Sequence, residues 1–231
     1  IIEDSKQQIW IGTARGISRY NREKDNFVNV DFNPENKNHL NNAYITTLAI
    51  DDNDQLWVGT YGGGINIYDQ TKSSFYYVSG FDVHSSPLSK DYISTLLYID
   101  GYMFSATKGG LQIFNTTTKT EAPIKYIGDD MTSKQIVSLV QDSHGDIWFS
   151  TFEGEINKVI WNDKNYSFEK KLSGSLLYGT NWNGITSLSS DLGNLWIGGE
   201  NSGLNYYDVK NNKITYFGVE NNKNKNLPTN S

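Results

Sequence analysis

Apolar residues along this chain alternate with small or polar ones in runs of five to eight, and each run stops at a turn-forming residue. One kind of run ends in aspartate: Ile45-Thr46-Thr47-Leu48-Ala49-Ile50-Asp51, Ile93 to Asp100, Ile136 to Asp142 and Ile185 to Asp191. A period near two over such lengths predicts β-strands. After a tight turn comes a second run led by an aromatic residue: Ile9-Trp10-Ile11-Gly12-Thr13, Leu56-Trp57-Val58-Gly59-Thr60, Met103-Phe104-Ser105-Ala106-Thr107, Ile147-Trp148-Phe149-Ser150-Thr151 and Leu195-Trp196-Ile197-Gly198-Gly199. A third follows as glycine, Ile or Leu, two variable residues, an aromatic and Asp or Asn, as in Gly16 to Asn21, Gly64 to Asp69, Gly110 to Asn115 and Gly203 to Asp208. A looser aromatic run closes each unit: Phe27 to Val30, Phe75 to Val78, Ile124 to Ile127, Tyr166 to Glu169 and Ile214 to Phe217.

The aromatics of the second run stand at positions 10, 57, 104, 148 and 196. Four short strands repeated at a fixed spacing in the forties predict a β-propeller of four-stranded blades. The blades are expected near residues 1–40, 41–88, 89–132, 133–181 and 182–226, with 227–231 beginning a further one, since Leu227-Pro228 matches the lead-ins at Leu40 and Leu88. Five blades starting and stopping inside a repeat read as part of a larger, seven-bladed type of propeller. Its exposed blade faces and strand edges are expected to pair with another copy or with further blades.

Each run has an assignable role. The Ile/Leu strand with small hydroxyl residues suits the crowded innermost position. Its turn needs a left-handed residue, supplied by Gly145 and Gly193 and, less ideally, by Asp54 and Gln7. Gly12, Gly59 and Gly198 give way to Ser105 and Ser150 elsewhere, so that site demands small size, as the close approach of a neighbouring blade would require. The repeated Trp10, Trp57, Trp148 and Trp196 are expected to pack between blades. The Asp or Asn closing the third strand is placed to accept from the following amides in an Asx-turn. The fourth unit departs from the pattern: Glu155 replaces glycine and Ile160-Trp161-Asn162 is inserted. Its outer edge is expected to differ, with Trp161 as a cover.

Composition narrows the function. Of 231 residues, 20 are Lys or Arg and 26 Asp or Glu, a net charge of −6, which excludes the clustered basic surface of nucleic-acid binding. Cysteine is absent, removing disulfides, thiolate metal sites and a cysteine nucleophile. No metal or cofactor is expected: Asp51-Asp52-Asn53-Asp54 and Asp129-Asp130 lack calcium-loop spacing, and Gly62-Gly63-Gly64 opens no helix that would cradle phosphate. No apolar run approaches the roughly 18 residues needed to cross a bilayer.

Leu-Trp-hydrophobe-Gly-Thr, then Gly-Gly-Leu/Ile, then Tyr-Asp, resembles the two-component regulator propeller repeat along the whole chain. That family forms the periplasmic sensor region of hybrid two-component histidine kinases of Bacteroidetes. The resemblance implies a periplasmic location, a membrane connection through segments outside this chain, and a ligand among oligosaccharides released from glycans. Kinase activity would lie in those other segments, so this region is expected not to be an enzyme.

In such a blade the loop before the innermost strand and the loop between the second and third strands share one face. There the units differ most. From the second-to-third loops come Arg15, Tyr61, Lys108, Phe152, Glu153, Glu200 and Asn201; from the lead-ins come Tyr44, Tyr92, Trp182 and Asn183, beside Asn42, Asp91, Lys134 and Gln135. Aromatic faces stack on pyranose C–H groups, and Asn, Glu, Arg and Lys bond hydroxyls. Trp182 beside Asn183 is the strongest single candidate, and Arg15 or Lys108 could meet an acidic sugar. Tyr44 and Tyr92 recur at one position, as packing residues would.

Two other functions fit a propeller. A docking or dimerisation module would bind no small ligand and carry an apolar rim. A lyase or hydrolase would need a general base, but His144 stands in a structural turn and His39 and His84 in long lead-ins, with no Ser-His-Asp arrangement emerging.

Overall fold

The computed structural model describes residues 1–30, 39–78, 92–126, 135–162, 164–172, 185–199 and 203–217, and every regular element among them is a strand. The chain divides after Ala122 into two units. The first holds three four-stranded sheets: β1 (Ile2–Glu3), β2 (Ile9–Thr13), β3 (Gly16–Asn21) and β4 (Asn26–Val30); β5 (Ile45–Ile50), β6 (Leu56–Thr60), β7 (Ile65–Asp69) and β8 (Ser74–Tyr77); β9 (Ile93–Ile99), β10 (Tyr102–Thr107), β11 (Gly110–Asn115) and β12 (Thr120–Glu121). The second holds β13 (Lys125–Tyr126), β14 (Ile136–Gln141), β15 (Ile147–Thr151), β16 (Ile156–Trp161) and β17 (Asn165–Leu172), then β18 (Ile185–Asp191), β19 (Asn194–Gly199), β20 (Leu204–Asp208) and β21 (Lys213–Phe217). Each sheet follows chain order through antiparallel hairpins. The single departure is β13, which adds to the outer edge of β17 in parallel, Lys125 opposite Asn165 and Tyr126 opposite Tyr166.

That strand corrects one expectation. The outer strand of the third sheet is the short β12, while Lys125 and Tyr126, expected to belong to it, extend the fourth sheet instead. The physical cause is the insertion at Ile160-Trp161-Asn162. It lengthens the β16–β17 hairpin to a turn in which the Asn162 Oδ1 accepts from the amides of Lys164 and Asn165, at 2.9 and 3.1 Å. The longer β17 offers an extra length of edge. Tyr126 then stacks on Tyr166 and Phe168, with centroids 5.4 and 5.1 Å away.

Neighbouring sheets within a unit are joined through the repeated aromatic. Trp10 packs with Ile45, Leu56, Val58, Tyr68 and Phe75 of the second sheet. Trp57 packs with Ile93, Leu96, Met103 and Phe114 of the third. Trp148 packs with Ile185, Leu195, Ile197 and Tyr207 of the fifth. These three indoles are at most 1% exposed. Trp196 differs. It is half-buried and lies against Tyr206 and Phe217 of its own sheet, at 4.7 and 5.6 Å, because no further sheet covers it among the described residues.

Each buried indole is also hydrogen-bonded to the turn six residues before it. Trp10 Nε1 donates to Asp4 Oδ2 at 3.0 Å, Trp57 to Asp51 at 2.9 Å and Trp148 to Asp142 at 2.8 Å. The other oxygen of each carboxylate accepts two turn amides, those of Asn53 and Gln55 in the case of Asp51. One aspartate thus satisfies the polar edge of a buried ring and also shapes the turn, which is what burial of an indole N–H requires. The left-handed positions fall where expected, with φ of 61° at Gln7, 59° at Asp54 and 84° at Gly145.

The small hydroxyl residues of the first strands join one sheet to the next. Thr46 donates to the Ile93 carbonyl at 2.6 Å, and the Leu96 amide donates to Thr47 at 3.3 Å. In the second unit the Leu188 amide donates to Ser138, and Ser190 donates to the Gln141 carbonyl. Gly59 is held to hydrogen by the same proximity, since a Cβ there would sit 2.7 Å from Ile93 Cγ2 and 2.5 Å from Thr47 Cγ2. The Asx-turns form as well. The Asp69 carboxylate accepts the Thr71 hydroxyl and the Thr71 and Lys72 amides; the Thr71 hydroxyl, then the Lys72 ammonium 3.0 Å away, then the two amides hold its pKa well below the usual carboxylate range.

Candidate ligand-binding loops

At the end of the sheets opposite the aspartate turns, backbone bonds draw the two variable loops together. The amide after the second strand donates to the carbonyl just before the first: Tyr61 to Tyr44 at 2.9 Å, Lys108 to Tyr92 at 3.3 Å and Phe152 to Gln135 at 2.9 Å. Successive sheets are linked there too. Gly16 donates to Ala43 at 2.7 Å, and Tyr61 forms an isolated antiparallel bridge with Tyr92. In the first unit the chain of contacts therefore runs from the Arg15 loop through Tyr44, Tyr61 and Tyr92 to Lys108.

The side chains follow the same path. The Tyr44 and Tyr61 rings are 5.4 Å apart, and Tyr61 meets Tyr92 edge-on at 4.4 Å. The Lys108 ammonium stands over both Tyr92 and Tyr61, at 4.0 and 5.0 Å from the ring centroids, and lies 3.4 Å from the Tyr61 hydroxyl. Tyr44 is 52% exposed and Tyr61 48%. Aromatic rings and a cation held by backbone bonds yet half open to water form a stacking platform rather than a core.

The platform rests on two asparagines. Asn42 Nδ2 donates to the Tyr61 carbonyl at 2.9 Å while its Oδ1 accepts the Tyr44 amide at 2.8 Å. Asn41 Nδ2 donates to the Gly63 carbonyl at 2.7 Å, and its Oδ1 accepts from Asn66 at 2.9 Å. A Cβ on Gly63 would lie 2.4 Å from Asn41 Oδ1, so the glycine run is what lets these amides close over the loop. Sequence reasoning named Asn42 but overlooked Asn41. The signal was present as two lead-in asparagines paired with a three-glycine loop.

Of the other candidates, Arg15 is exposed, its amide bonded to Thr13 Oγ1 at 3.0 Å. Phe152 and Glu153 are exposed in a turn of the second unit, closed by the Gly154 amide on the Thr151 carbonyl. Trp182, Asn183, Glu200 and Asn201, with Asp91 and Lys134, lie outside the described residues. Among the described residues no group of three or more acidic or histidine side chains could hold a metal ion.

Antiparallel four-stranded sheets joined through a recurrent buried aromatic define a blade protein of the propeller class. The family model described as "Two component regulator propeller" matches residues 39–62 and 130–153 of this chain. The chain is 29% identical over 204 residues to Histidine kinase P4 of Formosa agariphila, an alignment spanning 83% of this chain and 14% of that protein. Among solved structures it resembles the extracellular domain ascribed to a hybrid two component system of B. thetaiotaomicron, with a TM-score of 0.72 and 25% identity over 97% of this chain and 28% of that one. PorZ, a surface component of the type-IX secretion system of Porphyromonas gingivalis, shares the fold at a TM-score of 0.63 and 17% identity, over 96% of this chain and 33% of that one. The chain thus spans a minor part of the relatives it matches. No helix among the described residues is long and apolar enough to cross a membrane.

Proposed function

We propose that this chain is the periplasmic, ligand-sensing part of a two-component sensor. In this reading it recognises oligosaccharides through its variable loops and signals across the membrane through its dimer. The reading is carried by the half-exposed Tyr44–Tyr61–Tyr92 platform, which lies where the repeats are least alike and where a packing role would leave no ring face open. It is supported by the kinase name of the Formosa agariphila relative and by the extracellular, two-component description of the B. thetaiotaomicron domain. The region itself is assigned binding and no catalysis, with phosphotransfer left to other parts of the whole protein. Glycan contact at several loops would shift the arrangement of two protomers, and the membrane segments would carry that shift inward.

A docking propeller without a small ligand is the second reading, favoured by apolar exposure on the outer strand β4, where Phe27 is 55% and Val28 43% exposed. Thermal stabilisation of the complete extracytoplasmic region across a panel of defined oligosaccharides separates the two. A saturable rise with one glycan class is the expected result. A flat response to the whole panel would transfer the weight to docking.

A further inference from the structure

We infer that the loops of the first unit select glycans carrying an anionic group, which the Lys108 ammonium and the Tyr61 hydroxyl receive together. The inference rests on the oligosaccharide reading above and adds the charge of the ligand.

Four described lysines pair with a carboxylate: Lys72 with Asp69, Lys158 with Asp146, Lys170 with Glu155 and Lys171 with Glu169. Lys108 has no acidic partner among the described residues; its ammonium lies over two ring faces and beside the Tyr61 hydroxyl. A ring face steers an ammonium without consuming its charge, and an ammonium carries three donors, of which the Tyr61 hydroxyl takes at most one. Two donors and a full charge remain, beside the hydroxyl of half-exposed Tyr61, which can donate to the same anion. At the far end of the tyrosine platform stands Arg15, exposed and likewise without an acidic partner among the described residues. In a chain of net charge −6, this platform carries at each end a cation with no acidic partner among the described residues. A neutral sugar would need the rings and the amides but would gain nothing from either charge. An acidic one meets a charge-assisted bond, and discrimination is the difference between the two affinities.

The test is calorimetric titration of the complete extracytoplasmic region with three probes: oligogalacturonides, the same oligomers after carboxyl reduction, and sulfated galactan fragments. Wild type is compared with Lys108→Gln and Lys108→Arg. Binding of a carboxylated or sulfated probe is expected, with the responding probe identifying the anion. Lys108→Gln should lower that affinity about tenfold, the worth of one exposed charge-assisted contact. Lys108→Arg should restore most of it, and added salt should weaken it as it screens an exposed cation. Equal binding of the carboxyl-reduced oligomers, or acidic binding that Lys108→Gln leaves unchanged, would overturn the charge selection while sparing the glycan reading. Failure of all three probes to bind would count against both.

Discussion

The two ends of the first and second sheets are built on opposite plans from the same strands. At one end an aspartate buries its carboxylate against an indole and two turn amides, in nearly the same geometry at Asp4 and Asp51. At the other end the loops hold their backbones just as firmly but leave their side chains open, and no two of them carry the same set. Repetition marks the end that stabilises, because every blade must bury the same seam. Variation marks the other end, where the backbone is already satisfied and the side chains are left half open to water.

The comparison breaks most sharply at the buried ring. Trp57→Ala should cost roughly 3–5 kcal/mol in urea denaturation, as large core truncations do. Trp196→Ala should cost clearly less, since its ring is half-buried; equal losses would show that inter-sheet packing is not what distinguishes them. Next in size, Asp51→Ala leaves the Trp57 indole and two turn amides without their acceptor, at a cost of about 2–3 kcal/mol. A near-neutral result would make the aspartate a turn residue only. At the loop end Tyr61→Ala should lower stability by only about 1 kcal/mol, the scale of its aromatic contacts, while removing glycan binding. Loss of stability on the scale of Trp57 would make the platform a core after all.

The smallest effect is a titration. The folded Asp69 carboxyl has a depressed pKa, so its stabilisation is present above the unfolded value, about 3.9, and is lost as pH falls through the folded one. Asp69→Asn should therefore flatten the acid limb of the stability curve, by about a few tenths of a kcal/mol for a group near solvent. An unchanged limb would mean that the Asx-turn bonds form equally in the unfolded chain.

Much of this was legible before the structure. The spacing of Trp10, Trp57, Phe104, Trp148 and Trp196 marked the blades, and the order of strands put the lead-in loops and the second-to-third loops on one face. The roles of single atoms were not legible. Asp51 was read as a turn former because nothing in a spacing of six residues says that a carboxylate oxygen reaches an indole. The hydroxyls of Thr46 and Thr47 were read as small, whereas they bridge sheets, a matter of which neighbour lies within reach. Lys125 and Tyr126 were assigned to the third sheet because local pattern gives a strand its period but not its partner. The distinction between Trp57 and Trp196 was equally hidden, since both hold the same repeat position and differ only in what covers them.

The parallel pairing of β13 with β17 has a consequence for the order in which the chain takes shape. The other strands pair with the strand just before or after them in sequence, so those pairings can form from neighbouring segments as they emerge during synthesis. Lys125 and Tyr126 must wait for a segment some forty residues downstream, and their ladder can close only once the β16–β17 hairpin has been made. Contacts of long sequence separation form late. The fourth sheet is therefore the one whose outer seam is sealed retrospectively, a natural pause in the vectorial folding of the repeat array.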